Sequence, residues 1–424
     1  MTAFQHHISA IQAAPLVRGL MVFGSAEAAT RVVRLGALLI VARRVTPEIF
    51  GAAALALSLF ELVRVLANVG IGQRLILATR EELPALCRMA HSLFWMTCVG
   101  VAAIQFAVAG VLYAIFDLGE AAAMLAVLSL VYFAMPPGLV HIFLAMRENR
   151  MAIVARITAT QNMADSLLTV ALVIVWPSAW AIVLPKLLAA PIWTIMARTS
   201  STWRLDAAMP KASIREFSVF GPSILGTEML GAARLHGDKL VIGAMLGTEA
   251  LGIYYFAFNV GLGITQSFVA ACNLVIFPHL ARAKARHALR ELRKAFATGL
   301  SMLAPVVAAQ ALLAPFYVPL VFGDYWVAAT PYIVMLSCAA LPLYAGSIVG
   351  AAYRASGRPQ AETLITALAS AAALGGLAVG ASTGLAWACF GYGAGLAAIF
   401  IPAALASLSG RSPNLRLIAS SKGF

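Results

Sequence analysis

The sequence predicts an all-α membrane protein with about twelve transmembrane helices, and three observations support this class. Hydrophobic residues make up 62% of the 424-residue chain and charged residues only 11%, and the mean hydropathy is +0.89. About a dozen apolar stretches each approach the roughly 20 residues that cross a bilayer core of about 30 Å. Because these runs are long and continuous, they exclude the short alternating strands of an outer-membrane barrel.

Turn residues and charges delimit each span, and the spans fall into two groups of six. In the first half the predicted spans are 17–42, 52–73, 89–115, 121–145, 152–176 and 179–197. In the second half they are 217–246, 251–278, 295–322, 328–352, 360–380 and 384–407. Charges interrupt the first run and no small-residue cleavage site follows it, so we expect it to remain as the first helix. The grouping predicts two six-helix bundles, residues 1–205 and 206–424.

Lys and Arg residues are distributed unevenly between the predicted spans. The even-numbered connections and both termini carry most of them, whereas the odd-numbered connections carry only Arg43 and Arg44. The positive-inside rule therefore places both termini in the cytoplasm. Topology also explains the formal net charge of +13, so no nucleic-acid partner is expected. The basic stretch 282–294 is interpreted as a cytoplasmic loop, with an interfacial helix on anionic lipid as the alternative.

The cysteines are interpreted as packing residues. They are odd in number, scattered and mostly in apolar runs, and their spacing fits neither a disulfide framework nor a metal site. They are Cys87, Cys98, Cys272, Cys338 and Cys389. We therefore expect no bound metal ion and no cofactor.

An internal repeat relates the two halves of the chain. The segment VTPEIFGAAALA at 45–56 aligns with LGTEALGIYYFA at 246–257, so that Gly51 corresponds to Gly252 and Glu48 to Glu249. A repeat of six spans is even, so both copies enter the membrane from the same side. The two predicted bundles are then related by an axis along the membrane normal, a construction found in transporters.

Several segments, in their order and spacing, resemble one family. They are TPEIFG through NVGIGQRLI, IGAMLGTEALGIYYFAFNV at 242–260 and VIFPHLAR at 275–282. Over essentially the whole chain they resemble the polysaccharide-export, O-antigen-type flippases of the multidrug/oligosaccharidyl-lipid/polysaccharide exporter superfamily. The resemblance implies a V-shaped pair of six-helix bundles that moves a lipid-linked oligosaccharide across the bacterial inner membrane. It does not identify the glycan.

Ionisable residues inside the predicted spans are the candidate site. A charge at the centre of a membrane helix costs from about 2.5 to more than 10 kcal/mol, so such residues usually face a partner or a water-filled cavity. The candidate substrate-binding residues are Arg31, Arg34, Lys186, Arg234 and Lys239. The candidate coupling-ion residues are Glu27, Asp165, Glu228 and Asp238.

A purely structural role is the alternative for several of these residues. The pairs Glu27–Arg31, Glu61–Arg64 and Arg234–Asp238 have helical spacing, and each could neutralise itself and only fix helix packing. Arg34 and Lys186 have no acid at helical spacing, although either could bond across to Asp165. We therefore expect these two cations to be left without local neutralisation and to bind the pyrophosphate of a substrate.

Three functions compete on the sequence alone. The preferred one is an inner-membrane flippase that moves an undecaprenyl-pyrophosphate-type oligosaccharide by alternating access, for lipopolysaccharide or exopolysaccharide synthesis. The alternatives are a multidrug or cation exporter of the same superfamily and a polytopic glycan polymerase. Short outer connections leave no room for an extramembrane catalytic segment, so we expect no enzyme activity. We expect a monomer in contact with membrane lipid, with a polysaccharide polymerase or export machinery as candidate partner.

Overall fold

The computed structural model describes residues 15–206, 210–218, 221–263, 265, 269, 288–356 and 358–409, of which 15–29, 218, 221–224, 227, 288 and 359 are described by their backbone only. Every regular element in these ranges is helical, as predicted. The helices are α1 (Pro15–Arg44), α2 (Pro47–Arg64), α3 (Ile71–Leu77), α4 (Leu83–Phe116), α5 (Gly119–Leu128), α6 (Val131–Ala134), α7 (Pro136–Arg147), α8 (Met151–Val175), α9 (Ala179–Arg198), α10 (Arg215–Ser218), α11 (Gly221–Ala257), α12 (Ala288–Tyr317), α13 (Thr330–Cys338), α14 (Ala340–Ala355), α15 (Pro359–Ala381) and α16 (Leu385–Leu408).

The helices have the length and composition of membrane spans. Within the described ranges nine are long and apolar enough to cross a bilayer, or up to ten if the bent pair Gly119–Ala134 and Pro136–Arg147 forms one span. The predicted all-α membrane class is confirmed. The count of twelve stays a prediction, because parts of the seventh and eighth predicted spans lie outside the described residues. Cys272 and residues 282–287 of the basic stretch lie outside them too.

The chain divides into two compact units. Unit 1 comprises the residues up to Val45 together with Leu55–Ala233, and unit 2 comprises Thr46–Ala54 together with the residues from Arg234 onward. The first turns of α2 thus pack with the second half of the sequence. In the sequence, the boundary between the units falls after Ala233, beyond the predicted boundary at 205. The division into two bundles of six helices remains a prediction.

The predicted span 121–145 is broken into three helices. Pro136 and Pro137 have no N–H groups, so carbonyls one turn earlier lose their helical donors. Helix α7 is bent by 56° from the preceding segment. The Thr194 hydroxyl of α9 donates a hydrogen bond to the Ala134 carbonyl, which satisfies one backbone acceptor at the break.

A glycine separates the seventh predicted span from the eighth. Gly247 has a φ of 86°, in the left-handed region, and interrupts the regular helix inside α11. Only glycine adopts this conformation without a steric cost from a Cβ atom. The structure therefore places the turn within the short connection predicted from the sequence, at Gly247–Ala250.

Side chains hold the loops together at one end of unit 1. Arg74 forms ion pairs with Glu82 at 3.1 Å and with Glu216 at 2.8 Å, which ties the segment after α9 to α3. The hydrogen bond that Arg74 donates lowers the pKa of the Glu82 carboxyl below its usual value. Arg147 donates to the Ala78 carbonyl at 2.8 Å. The ion pairs of Arg74 and the hydrogen bond of Arg147 therefore connect the ends of α3, α4 and α7.

Candidate functional site

Four charged side chains meet in a cavity of about 330 Å³ within unit 1, called the charged cavity below. Glu61 and Arg64 of α2 form an ion pair of 2.6 Å, with one further hydrogen bond from Arg64 Nε at 2.8 Å. Lys186 Nζ of α9 lies 3.5 Å from an Asp165 oxygen and 3.8 Å from a Glu61 oxygen. Two carboxylates and two cations make this cluster neutral overall.

Uncharged hydrogen-bonding groups and an aromatic ring line the same cavity. Thr158, Gln161 and Asn162 lie on the face of α8 that carries Asp165, because their spacing brings them onto one side of the helix. Trp193 lies two turns after Lys186 on α9 and also lines the cavity. Amides, hydroxyls, carboxylates and an aromatic ring can together bind a polar ligand rich in hydroxyl groups.

The position of Lys186 corrects one sequence expectation. The sequence predicted that its ammonium group would lack local neutralisation, but Asp165 and Glu61 reach it from two other helices. The pairing to Asp165 was the alternative that the sequence left open. Both N···O distances exceed those of a good hydrogen bond, so the ammonium lies between two carboxylates without a close bond to either.

In unit 2, Asp238 and Lys239 form a buried ion pair. Their side chains are 1% and 4% exposed, and Lys239 Nζ lies 2.9 Å from an Asp238 oxygen. Tyr254 donates its hydroxyl hydrogen to Asp238 at 2.8 Å, while Lys239 also donates to the Leu235 carbonyl and lies 3.9 Å from the centre of the Phe258 ring. Each charge in this group has an oppositely charged or hydrogen-bonding partner within the group, an arrangement that fits a role in helix packing. Asp238 thus pairs with Lys239 and not with Arg234.

Of the other predicted site residues, none whose side chain is described lines the charged cavity. Arg34 is exposed on α1 and Glu228 is exposed on α11, whereas Arg31 is half-buried. Arg234 lines a pocket of about 30 Å³ beside Tyr392 and Phe400. The side chain of Glu27 lies outside the described residues. No described residues form a cluster of three or more His, Cys, Asp or Glu side chains that could hold a metal ion.

The sequence contained signals for cavity residues that it did not assign. Thr158, Gln161, Asn162 and Asp165 repeat at intervals of three and four residues, the spacing of one helix face. Glu61 and Arg64 were recognised only as a self-neutralising pair. What the sequence could not show is that three separate helices, α2, α8 and α9, bring these residues to one cavity.

The described helices form a multi-span membrane protein, and comparison with known families gives its kind. The family model described as polysaccharide biosynthesis protein matches residues 40–331. The chain belongs to this family, which confirms the resemblance recognised in the sequence. It is 23% identical over 328 residues to the lipopolysaccharide biosynthesis protein WzxC of Escherichia coli, a match that covers 75% of this chain and 65% of WzxC. It is also 23% identical over 308 residues to the succinoglycan biosynthesis transport protein ExoT of Rhizobium meliloti.

The ExoT match covers 70% of this chain and 60% of ExoT, so the chain spans less than two thirds of the length of either relative. Solved structures show the same fold at low identity. Lipid II flippase MurJ in an inward closed conformation has a TM-score of 0.76 at 11% identity, covering 94% of this chain and 90% of MurJ. An inward-facing MATE family transporter of the MOP superfamily has a TM-score of 0.69 at 14% identity, covering 93% and 96%. These similarities establish the fold.

Proposed function

We propose that the protein is a flippase of the bacterial inner membrane that moves a lipid-linked oligosaccharide, of the undecaprenyl-pyrophosphate type, for surface polysaccharide synthesis. The observation that carries this proposal is the charged cavity of unit 1, where Lys186 lies between Asp165 and Glu61 beside amide groups and Trp193. The family and its relatives named for lipopolysaccharide and succinoglycan biosynthesis support the same substrate class.

The chemistry of the cavity suits the polar head of such a lipid. Sugar hydroxyls donate to Asp165 and accept from the amides of Gln161 and Asn162, while an apolar sugar face packs on Trp193. A phosphate oxygen is a stronger acceptor for Lys186 than a carboxylate held at 3.5 Å. Substrate binding therefore draws Lys186 from Asp165, and this change of partner links occupancy of the cavity to the charges of α2 and α8.

Transport follows by alternating access, with both termini in the cytoplasm. Lys and Arg are concentrated in the even-numbered connections, which supports this orientation. Asp165 is the candidate for a coupling ion because it is the acid released when Lys186 changes partner. The protein works as a monomer beside a polysaccharide polymerase or export machinery.

A multidrug or cation exporter is the second candidate, and the fold shared with a MATE transporter favours it. Such an exporter needs acids that are free to pair with a cationic drug. In the charged cavity both acids already have a cation within 4 Å. The pairing and the family therefore favour the glycan lipid.

The test is complementation of a strain that lacks its own oligosaccharide-lipid flippase. Expression of this chain at matched membrane levels should restore surface glycan, and Trp193→Ala should reduce the restored amount by about tenfold. Drug susceptibility of an efflux-deficient strain is measured in parallel. Restored drug resistance without any surface glycan would replace the flippase with the exporter.

A further inference from the structure

A second and larger cavity lies at the loop end of unit 1, away from the charged cavity. It has a volume of about 840 Å³ and is called the loop-end cavity below. Helices α4, α7 and α9 and the segment that follows α9 form its walls. Its lining residues are His91, Trp95, Pro137, His141, Arg198, Thr199, Ser201, Thr202, Trp203, Arg204 and Leu205.

Specific contacts fix the wall that follows α9. The ring of Trp203 packs between two imidazoles, with centroid distances of 5.8 Å to His91 and 5.4 Å to His141. His141 Nδ1 is 2.8 Å from the Ser201 hydroxyl, and Arg150 donates to the Ser200 carbonyl at 2.8 Å. The segment is thus anchored at Ser200, Ser201 and Trp203, which fixes the backbone that carries Thr202 and Arg204.

Two arginines and no acid are among the described residues that line this cavity, whereas two cations meet two carboxylates in the charged cavity. Arg198 and Arg204 are exposed at its rim, and no carboxylate stands among the described residues that line it. The nearest acid along the chain, Asp206, lines a neighbouring pocket of about 180 Å³ together with Arg88, and Arg204 lines both this pocket and the loop-end cavity. The hydroxyls of Thr199 and Thr202 add neutral donors beside the two guanidinium groups.

The position of the cavity along its helices corresponds to the level of lipid headgroups. Arg198 is the last residue of the candidate span Ala179–Arg198. Next to the cavity, α4 exposes apolar side chains at Met96 and Val99, which are 62% and 46% exposed. A cationic opening that continues into an exposed apolar surface matches the two parts of a membrane lipid, a phosphate head and acyl chains.

We propose that the loop-end cavity binds the phosphate group of a membrane lipid. Arg198 and Arg204 each offer paired N–H donors to phosphate oxygens, Thr199 and Thr202 donate further hydrogen bonds, and Trp95 packs along the adjoining glycerol or sugar. The phosphate belongs either to an anionic phospholipid of the bilayer or to a polyprenyl pyrophosphate. Binding of a bilayer phospholipid does not depend on the proposed function, whereas binding of a polyprenyl pyrophosphate rests on it.

The experiment measures lipid binding to the full-length protein purified in detergent. Native mass spectrometry follows titration with phosphatidylglycerol, and phosphatidylcholine serves as the zwitterionic comparison. The variant Arg198→Gln/Arg204→Gln removes both rim cations. Its matched control is Arg80→Gln/Arg156→Gln, which removes two exposed cations of unit 1 outside the cavity. Arg198→Lys/Arg204→Lys retains the charge, and the single glutamine variants test each cation separately.

The proposal expects phosphatidylglycerol to bind in preference to phosphatidylcholine and its affinity to fall about tenfold in the cavity variant, with little change in the control. The lysine variant should bind with intermediate affinity. Competition by undecaprenyl pyrophosphate would identify the polyprenyl lipid as the source of the phosphate, and failure to compete would identify the bilayer phospholipid. Equal affinity in the cavity variant and its control would overturn the proposal. So would binding of inorganic phosphate as tight as that of lipid.

Discussion

Gly51 and Gly252 approach each other so closely within unit 2 that neither position has room for a Cβ atom. A Cβ on Gly51 would lie 2.8 Å from the Gly252 nitrogen, and one on Gly252 would lie 3.0 Å from the Gly51 nitrogen. The relationship is reciprocal, since the first Cβ would also meet the Thr248 carbonyl and the second the Pro47 carbonyl. These are the residues that the internal repeat pairs in the sequence. The two copies of the repeated segment thus meet through equivalent atoms.

Gly51→Ala should destabilise the protein, because the added methyl overlaps backbone atoms that cannot rotate away. We expect a loss of at least about 1–3 kcal/mol, measured as a lower Tm of the detergent-solubilised protein. Gly100→Ala is the matched control, since a Cβ there meets nothing within 4 Å. In the control, alanine should be neutral or slightly stabilising, as expected in a helix. Equal Tm values for the two variants would contradict the close approach.

An aromatic cluster holds the same segment in unit 2. The Phe50 ring lies 5.4 Å from Tyr255 and 5.5 Å from Trp326, and Trp326 also packs 4.1 Å from Phe256. Trp326 is fully buried. These contacts explain why Thr46–Ala54 packs with the second half of the chain.

How much the sequence predicted can be judged from these residues. The length of the apolar runs predicted the helices, and the internal repeat predicted that Gly51 corresponds to Gly252. Both features can be recognised in the order of residues along the chain. The assignment of Thr46–Ala54 to unit 2 depends on aromatic packing between residues far apart in sequence. The sequence left a bond from Lys186 to Asp165 open but could not show that Glu61 also reaches Lys186, since the two acids come from α8 and α2.

Breaking the buried pair in unit 2 should cost more stability than removing it. Among the described residues, Lys239→Met leaves the buried Asp238 carboxylate with the Tyr254 hydroxyl as its hydrogen-bond partner, and we expect a loss of about 3–5 kcal/mol. Asp238→Leu/Lys239→Met removes both charges and should recover part of that loss. The measurement is the Tm of each purified variant, with Tyr254→Phe estimating the single hydrogen bond at about 1 kcal/mol. A double variant less stable than Lys239→Met would show that the pair itself stabilises the fold.

The proposed orientation predicts which positions an impermeant thiol reagent reaches in intact cells. Single cysteines are introduced into a variant from which the five native cysteines have been removed. Cysteines at the exposed positions Glu120 and Glu249 should be labelled from outside, whereas those at the exposed positions Arg80 and Arg290 should react only after the membrane is permeabilised. Labelling of all four from outside would refute the assigned topology.

Lys186 offers the sharpest test of how the charged cavity works. Lys186→Met leaves the carboxylates of Asp165 and Glu61 without their shared cation, so it should lower both stability and transport. Asp165→Asn/Lys186→Met removes one acid together with the cation and should restore much of the stability. Transport is scored as surface glycan in a flippase-deficient strain, and stability as the Tm of the purified variants.

The two readouts separate binding from packing. If the ammonium contacts the phosphate of the substrate, transport should stay at least about tenfold reduced in the double variant, since a charge-assisted hydrogen bond contributes roughly 1.5–3 kcal/mol. Lys186→Arg should then retain part of the activity, because it keeps a cation beside Asp165. The control Arg156→Met changes an exposed cation elsewhere on α8 and should leave both readouts unchanged. Transport that returns together with stability in the double variant would reduce Lys186 to a packing role, because the ammonium would then matter only as the partner of the two acids.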